Sequence, residues 1–439
     1  MIILALLLIV YILLITVSYH TSYKHNLICP QIGFLIGFFL QVCYAFGWVK
    51  IWDLNLSSTT FFALIIGTTV YTLTCIAVQR FLLHTTYNAQ TVVCKVEVLK
   101  KKIIVDKWKL LVFILIQCIT LAGCIFYLRS LNSGSLSQAI FYYHKAVLNP
   151  DLDVRLPSII GFLRTFTKPS GCFWLYIFLH GIIYKYNNNK ALLLVNIILS
   201  FFINIIIGGR GGAIRMVLAA IVMVYIIMQF RMEWNFRIKP STLIKVFAVV
   251  TIVAVLFPIT GNLIGRPITQ SSSEYIAIYL SAELKNLDTF VREGQFGQGN
   301  SLYTTQTLVY LVNGISGRFG LPNWGHEAIN TYRFVNGHTL GNVSTTFYAF
   351  LYDGGFFALI VYTSIMAALT SLIFITVYKT RKSSLDMGII IYAYLFYDVV
   401  FSFFGDKFYD LVIAKGFLYT LLSLLVLYLF VRVRVKIRQ

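Results

Sequence analysis

Acidic residues are scarce: 16 Asp and Glu stand against 36 Lys and Arg in 439 residues, and charged side chains of both signs make up 12% of the chain. So thin a polar complement cannot cover the exterior of a water-soluble protein in which 58% of residues are hydrophobic. No pair of carboxylates falls within one apolar run in the manner of a proton or sodium relay. Cysteine gives no framework either. The seven cysteines are scattered, several of them inside apolar runs (Cys43, Cys75, Cys118), and no CxxC pair or Cys/His ligand spacing occurs. A disulfide scaffold and a zinc site are both excluded on that pattern. P-loop, GxSxG and HExxH motifs are missing. Asp151-Leu152-Asp153 matches the DxD pattern of metal-dependent nucleotide-sugar transferases, but the soluble nucleotide-binding domain that motif needs is not there. No internal repeat and no low-complexity linker divide the chain, which argues against a transporter built from duplicated halves.

What is there is apolar sequence in long runs, with a mean hydropathy of +0.79. Runs of about twenty residues, each sufficient to cross a hydrocarbon core of about 30 Å, recur along the whole length. They predict an all-α polytopic membrane protein with about eleven spans, at residues 2–19, 31–50, 58–79, 108–128, 158–184, 190–207, 213–229, 242–259, 345–378, 386–404 and 409–431. The chain reads as one transmembrane domain, 1–439. The opening MIILALLLIVYILLITVSYH has neither a basic n-region nor a small-residue cleavage site, so it is expected to be retained as the first span.

The formal charge of +20 is distributed for topology and not for nucleic acid. Lys95, Lys100, Lys101, Lys102 and Lys107 crowd one loop; Arg231, Arg237 and Lys239 mark a second; Lys379, Arg381 and Lys382 a third; and RVRVKIRQ ends the chain. If the spans alternate, all four lie on one side. The positive-inside rule then places the N-terminus outside and the C-terminus inside. The one long hydrophilic excursion, 260–344 between the eighth and ninth spans, falls outside. Within it SSSEYIAIYLSAELKNLDTFV (271–291) carries Ile276, Leu280, Leu284, Leu287 and Val291 at helical spacing after a serine cluster suited to N-capping. It predicts an amphipathic helix, either on the outer membrane surface or packed on the bundle.

Cations at the outer ends of helices are the candidate chemistry. NIIIGGRGGAIR (204–215) joins two spans through a very short outer turn. Its four glycines allow close approach of backbone to a ligand, and N–H groups at the start of the next helix favour anions. Arg210 and Arg215 add fixed charge, and guanidinium bonds phosphate oxygens in pairs. An arginine at mid-membrane depth costs roughly 2.5–3.5 kcal/mol on insertion scales, so it is kept for a purpose. A tight turn with arginines reaching lipid headgroups accounts for the same residues. Arg164 and Lys168, in GFLRTFTKPSG, begin the fifth span from outside. Arg155, Arg266, Arg292, Arg318 and Arg333 add outer charge of a sign normally depleted there. His338, in NGHTLGNVST (336–345), is a candidate general base, or an ordinary hydrogen-bonded loop residue. Asn342 is suited to orienting a sugar hydroxyl. Asp353, inside an apolar run, is either a base or a partnered buried charge, and His326 and Glu327 are weaker candidates.

Three of these stretches resemble the O-antigen polymerases, the Wzy-type polymerases of oligosaccharide repeat units. NIIIGGRGGAIRMVLA resembles that family's glycine–arginine turn at a helix start. YIAIYLSAELKNLDTF with GNSLYTTQTLVYLV resembles its outer-loop helices. GNVSTTFYAFLYDGG is similar to its Gly-Asn-x-x-Thr segment leading to Asp-x-Gly, although an aromatic residue more often follows the aspartate than Gly354. The resemblance implies a membrane glycosyltransferase with the GT-C-like helical fold shared by O-antigen ligases. It would sit in the bacterial cytoplasmic (inner) membrane, polymerise undecaprenyl-diphosphate-linked oligosaccharides on the periplasmic side, and use no cofactor or metal. Its partners would be those lipid-linked glycans, membrane lipids and a polysaccharide chain-length regulator, with no nucleic acid. On this resemblance Arg210 and His338 are the catalytic candidates. Arg164, Lys168, Arg215, Arg266, Asn342 and Asp353 are the substrate-binding ones. An O-antigen ligase or a flippase of lipid-linked oligosaccharides are the competing expectations.

Overall fold

A computed structural model describes residues 1–22, 25–86, 96–148, 152, 154–186, 188–234, 258–261, 270–299, 301, 304–320, 331–378 and 384–432. The expected span at 242–259 lies almost wholly outside them, as do Arg266, His326, Glu327 and the Asp151 and Asp153 of the DxD pattern. The described chain is helical apart from one two-stranded hairpin. Seven helices are long and apolar enough to cross a membrane: Ile2–Thr21, Pro30–Trp48, Ser58–Leu82, Lys107–Leu131, Gly211–Arg231, Thr346–Ile375 and Lys415–Arg432. Two shorter apolar helices, Lys190–Ile205 and Met387–Phe403, accompany them. The protein is an all-α, multi-pass membrane protein. Its chain forms two compact units: residues 1–88, 273–378 and 395–418 make the first, and 89–272, 379–394 and 419–439 the second.

In chain order the first unit begins with α1 (Ile2–Thr21), α2 (Pro30–Ala45) and α3 (Ser58–Thr86). The second unit holds α4 (Lys107–Leu131), α5 (Leu136–Leu148), α6 (Ser158–Thr167), α7 (Ser170–Ile183), α8 (Lys190–Ile205) and α9 (Gly211–Arg231). The expected fifth span is thus two helices, because Pro169 has no N–H to continue the ladder from α6 into α7. The amphipathic α5 went unforeseen: its apolar residues are too few to register as a span. There follow α10 (Ser272–Leu280), α11 (Ala282–Arg292), α12 (Val309–Phe319), the strands β1 (Arg333–Val335) and β2 (His338–Gly341), and α13 (Thr346–Ile375). α14 (Met387–Val400), α15 (Lys407–Leu411) and α16 (Lys415–Arg432) complete the chain.

The core of the first unit is an aromatic stack. Phe34 of α2 lies over Tyr71 of α3 at 3.9 Å, and Phe38 over Phe347 of α13 at 5.1 Å. The Tyr71 hydroxyl meets Thr370 Oγ1 at 2.9 Å, which removes the cost of an unmet polar atom among rings. α13 is not continuous. Gly354 (φ −159°, ψ 32°) and Gly355 (φ 60°, ψ −146°) interrupt it, and Gly355 has a backbone conformation that side-chain-bearing residues avoid. A break strands carbonyls, and the segment 297–307 supplies donors for them. Gly297 N–H reaches Leu351 O at 3.3 Å, and Gly299 N–H reaches Tyr352 O at 3.1 Å.

The 271–291 stretch forms two helices separated at Ser281, and its apolar face is turned into protein. Leu284, Leu287 and Phe290 are fully buried in the core of the first unit, so packing on the bundle is the outcome of the two that were open. Its polar face does specific work. Asp288 Oδ1 accepts from Ser57 N–H at 2.7 Å and from Thr60 Oγ1 at 2.7 Å, while Ser57 Oγ caps Thr60 N–H at 3.2 Å. The donors at the start of α3 are therefore met from a helix more than two hundred residues away. Asp288→Ala removes that acceptor and is expected to lower stability by about 2 kcal/mol, read as a shifted denaturant midpoint in detergent.

Candidate functional site

In the second unit the residues around Arg210 are placed by packing. α8 ends at Ile205, and Gly208 (φ +84°) turns the chain where only a residue without Cβ fits comfortably. A Cβ there would touch Ile140 and His144 of α5 at 3.4 Å, so the turn rests on α5. Arg210 is the N-cap of α9, and its carbonyl accepts from Ala213 N–H at 3.1 Å and Ile214 N–H at 3.2 Å. Gly212 abuts the Asn204 side chain, since a Cβ would lie 2.0 Å from Asn204 Oδ1. Asn204 Nδ2 donates in turn to Lys168 O at 3.2 Å. Two of the four glycines thus answer to the fold. Nothing lies within 4 Å of a Cβ built at Gly209, which leaves that peptide approachable.

Arg210 and Arg215 are 8% and 7% exposed. The Arg215 guanidinium lies 4.4 Å over the Tyr394 ring and donates to the Tyr394 hydroxyl at 2.7 Å, so much of its charge is engaged within the unit. Arg164, on α6, is half-buried beside Tyr143 and Cys124, and its Nε–H is buried with no hydrogen-bond partner. Tyr143 and His144 are neighbours on α5, so Arg164 and the Gly208 turn converge on the same stretch of that helix. Lys168 joins them through its carbonyl. Arg164 thus lies near Tyr143, the Gly208 turn rests on the adjacent His144, the Lys168 carbonyl is tied to Asn204, and Arg215 has an aromatic partner.

In the first unit His338 opens β2, opposite Val335 across a turn in which Asn336 (φ +50°) and Gly337 (φ +79°) both take the left-handed conformation of a tight hairpin. Its Nδ1 is 2.6 Å from Glu274 Oε1 in the first turn of α10. A carboxylate there accepts Nδ1–H, which fixes the tautomer and leaves the Nε2 lone pair as the proton acceptor. The hairpin is anchored on three sides. Leu340 is buried with Trp52, Ala277 and Ala282; Asn286 Nδ2 donates to Leu340 O at 3.2 Å and Val343 O at 2.6 Å; and Arg333 pairs with Glu293 at 2.6 and 2.7 Å. That last pair holds the Glu293 carboxyl below its ordinary range. Asn342 is exposed just beyond β2. Glu274 escaped the sequence reading. The only local signal was an acid in a first helical turn, which favours the helix dipole and says nothing of a histidine 64 residues on.

Asp353 has a different place. Thr305 Oγ1 donates to its Oδ2 at 2.6 Å, Gln306 N–H to its Oδ1 at 2.7 Å and Thr307 N–H to its Oδ2 at 3.0 Å. Its carboxylate completes the seam between the helix break and the 297–307 segment, which is the partnered alternative. Among the described residues no group of three or more His, Cys, Asp or Glu is arranged to hold a metal ion.

Asp353→Ala strands three donors at once and is expected to cost about 3 kcal/mol or more, measured as a lower thermal midpoint of the purified protein. Asp353→Asn, which keeps one carbonyl acceptor, is expected to fall between the two. Comparison with known proteins finds no matching family model, no similar curated protein and no similar solved structure.

Proposed function

We propose that this chain is a metal-independent, inverting membrane glycosyltransferase that polymerises undecaprenyl-diphosphate-linked oligosaccharide repeat units into a surface polysaccharide. On this reading it is an eleven-span, GT-C-like protein of the bacterial inner membrane, with its N-terminus periplasmic, its C-terminus cytoplasmic and its chemistry on the periplasmic side. One observation carries the reading: the Arg164 guanidinium holds a buried Nε–H with no acceptor, near Tyr143, whose neighbour His144 supports the turn leading to the buried Arg210. A buried, unmet N–H of a permanent cation calls for an anionic oxygen, and a lipid diphosphate provides several.

The chemistry follows from that leaving group. An acceptor hydroxyl attacks the anomeric carbon of the growing chain. The bond from that carbon to the diphosphate oxygen breaks, and the electron pair departs on the diphosphate. Arg164, Lys168 and Arg210 stabilise the charge gained there, which needs cations more than a proton donor. The hydroxyl proton goes to a general base, a role for which His338 Nε2 is suited because Glu274 holds the imidazole in the tautomer that has Nε2 unprotonated. Asn342 positions the acceptor sugar.

Purified protein is to be incubated with one defined lipid-diphosphate repeat unit, with products resolved by size. A ladder of extended chains is expected; a folded protein that gives none, or that moves a finished chain only to a different lipid acceptor, removes the polymerase reading. Arg210→Ala and Arg164→Ala are each expected to slow extension about a hundredfold or more, and His338→Ala by a similar factor. Glu274→Gln is expected to lower the rate and to displace the pH profile, as a residue acting through His338 does.

A further inference from the structure

The mechanism above leaves unused a buried carboxyl on α11. Glu283 is 0% exposed and its partner Gln41, on α2, is also 0% exposed. The Gln41 amide nitrogen donates to Glu283 Oε2 at 3.3 Å and to Phe403 O at 3.1 Å. The other two oxygens of this pair, Glu283 Oε1 and Gln41 Oε1, are both buried and make no hydrogen bond. An ionised carboxylate would leave two acceptors stranded, one of them carrying charge, in the protein core. A carboxylic acid supplies the missing donor: a proton on Oε1 has the unmet Gln41 Oε1 as an acceptor on the side chain that Glu283 already bonds.

We propose that Glu283 and Gln41 form a proton-operated latch that holds α11, and through it the strand carrying His338, against α2. The connection runs along one face of α11. Asn286, one turn beyond Glu283, grips the carbonyls of Leu340 and Val343 on either side of Asn342. Releasing Glu283 loosens the helix that holds this segment. The latch rests on packing and hydrogen bonding alone, independent of the glycosyl transfer proposed above.

The electrostatic surroundings set where it operates. Burial pushes the Glu283 carboxyl up to about 8, against the opposing pull of its hydrogen bonds and of the Lys407 ammonium on α15. Elsewhere on α11, Asp288 pairs with Arg292 and Lys285 donates to Asp53 O. β2 brings His338, already paired with Glu274. α3 presents Thr60, occupied by Asp288, and α13 presents Tyr348 against Phe290. The sign follows from linkage. The closed state binds a proton that the open state gives up, so closure is complete below the ordinary carboxyl range and is lost as pH rises through about 8.

The full-length protein in lipid nanodiscs is to be followed by amide hydrogen exchange between about pH 6 and about pH 10, with rates corrected for intrinsic exchange. In the wild type, protection of 282–292 and 338–343 is expected to fall about tenfold per pH unit as pH rises toward about 8, and to level off above it. Glu283→Gln replaces the acid by an amide that still donates and accepts, so its protection is expected to stay high and flat. Gln41→Met removes the amide at similar length, and is expected to give low protection at every pH. A wild type with flat protection, a Glu283→Gln protein that falls as the wild type does, or a Gln41→Met protein that keeps the wild-type fall each overturns the latch. The Gln41→Met and wild-type arms decide the matter even if Glu283→Gln fails to fold.

Discussion

A helix that breaks inside an apolar core must find donors for the carbonyls it releases, and in this protein that requirement organises the first unit. Beside the break at Gly354 and Gly355, Gly297 and Gly299 N–H meet the carbonyls of Leu351 and Tyr352, while Asp353 accepts from the Thr305 hydroxyl and from Gln306 and Thr307 N–H. Gly299 is pressed so close that a Cβ would fall 2.3 Å from Asp353 Oδ1. The loop before α13 is therefore part of the hydrogen-bond accounting of the helices and not a cover laid over them. The same logic recurs where α11 supplies Asp288 to the start of α3, and where Asn286 holds the carbonyls flanking Asn342.

Among the described residues of the second unit, several polar side chains between apolar helices are clustered. Gln117 Nε2 on α4 donates to Ser170 Oγ on α7, to Ser200 Oγ and to Asn196 O on α8. Asn204, one turn beyond Ser200, extends this chain to the glycine turn. Amide and hydroxyl contacts of this kind add modestly to helix association in lipid, about 1 kcal/mol each. Their larger effect here is positional. They fix the spacing of α7 and α8 below the turn, so that Lys168 and Arg210 are set by a polar seam as well as by apolar packing.

Long apolar runs made the all-α, multi-pass character legible from sequence, though not the number of spans, because hydrocarbon imposes a length and a composition that few other constraints imitate. Local chemistry made the turn at 204–215 legible too: four glycines and two arginines admit few conformations. What stayed hidden depended on partners distant in sequence. Nothing near His338 indicates Glu274, and nothing near Asp353 indicates Thr305. Nor does Arg215 disclose that the Tyr394 ring will lie beneath it and accept its hydrogen bond. The pairing of Gly354 with Gly355 looked only like a departure from a resemblance, whereas it marks the place where a span is interrupted. Pro169 was within view, but an apolar run on both sides of it masked the division into α6 and α7.

The seam at the interrupted helix also bears on the order in which the protein is built. Segment 297–307 leaves the ribosome before residues 346–375, so its donors are already made when the two halves of α13 emerge. The Leu351 and Tyr352 carbonyls at the interruption meet these donors only once that earlier segment docks, which makes the loop a template for the helix that follows it. Shortening or replacing the loop is then a change to the span itself, felt during membrane assembly before any effect on chemistry.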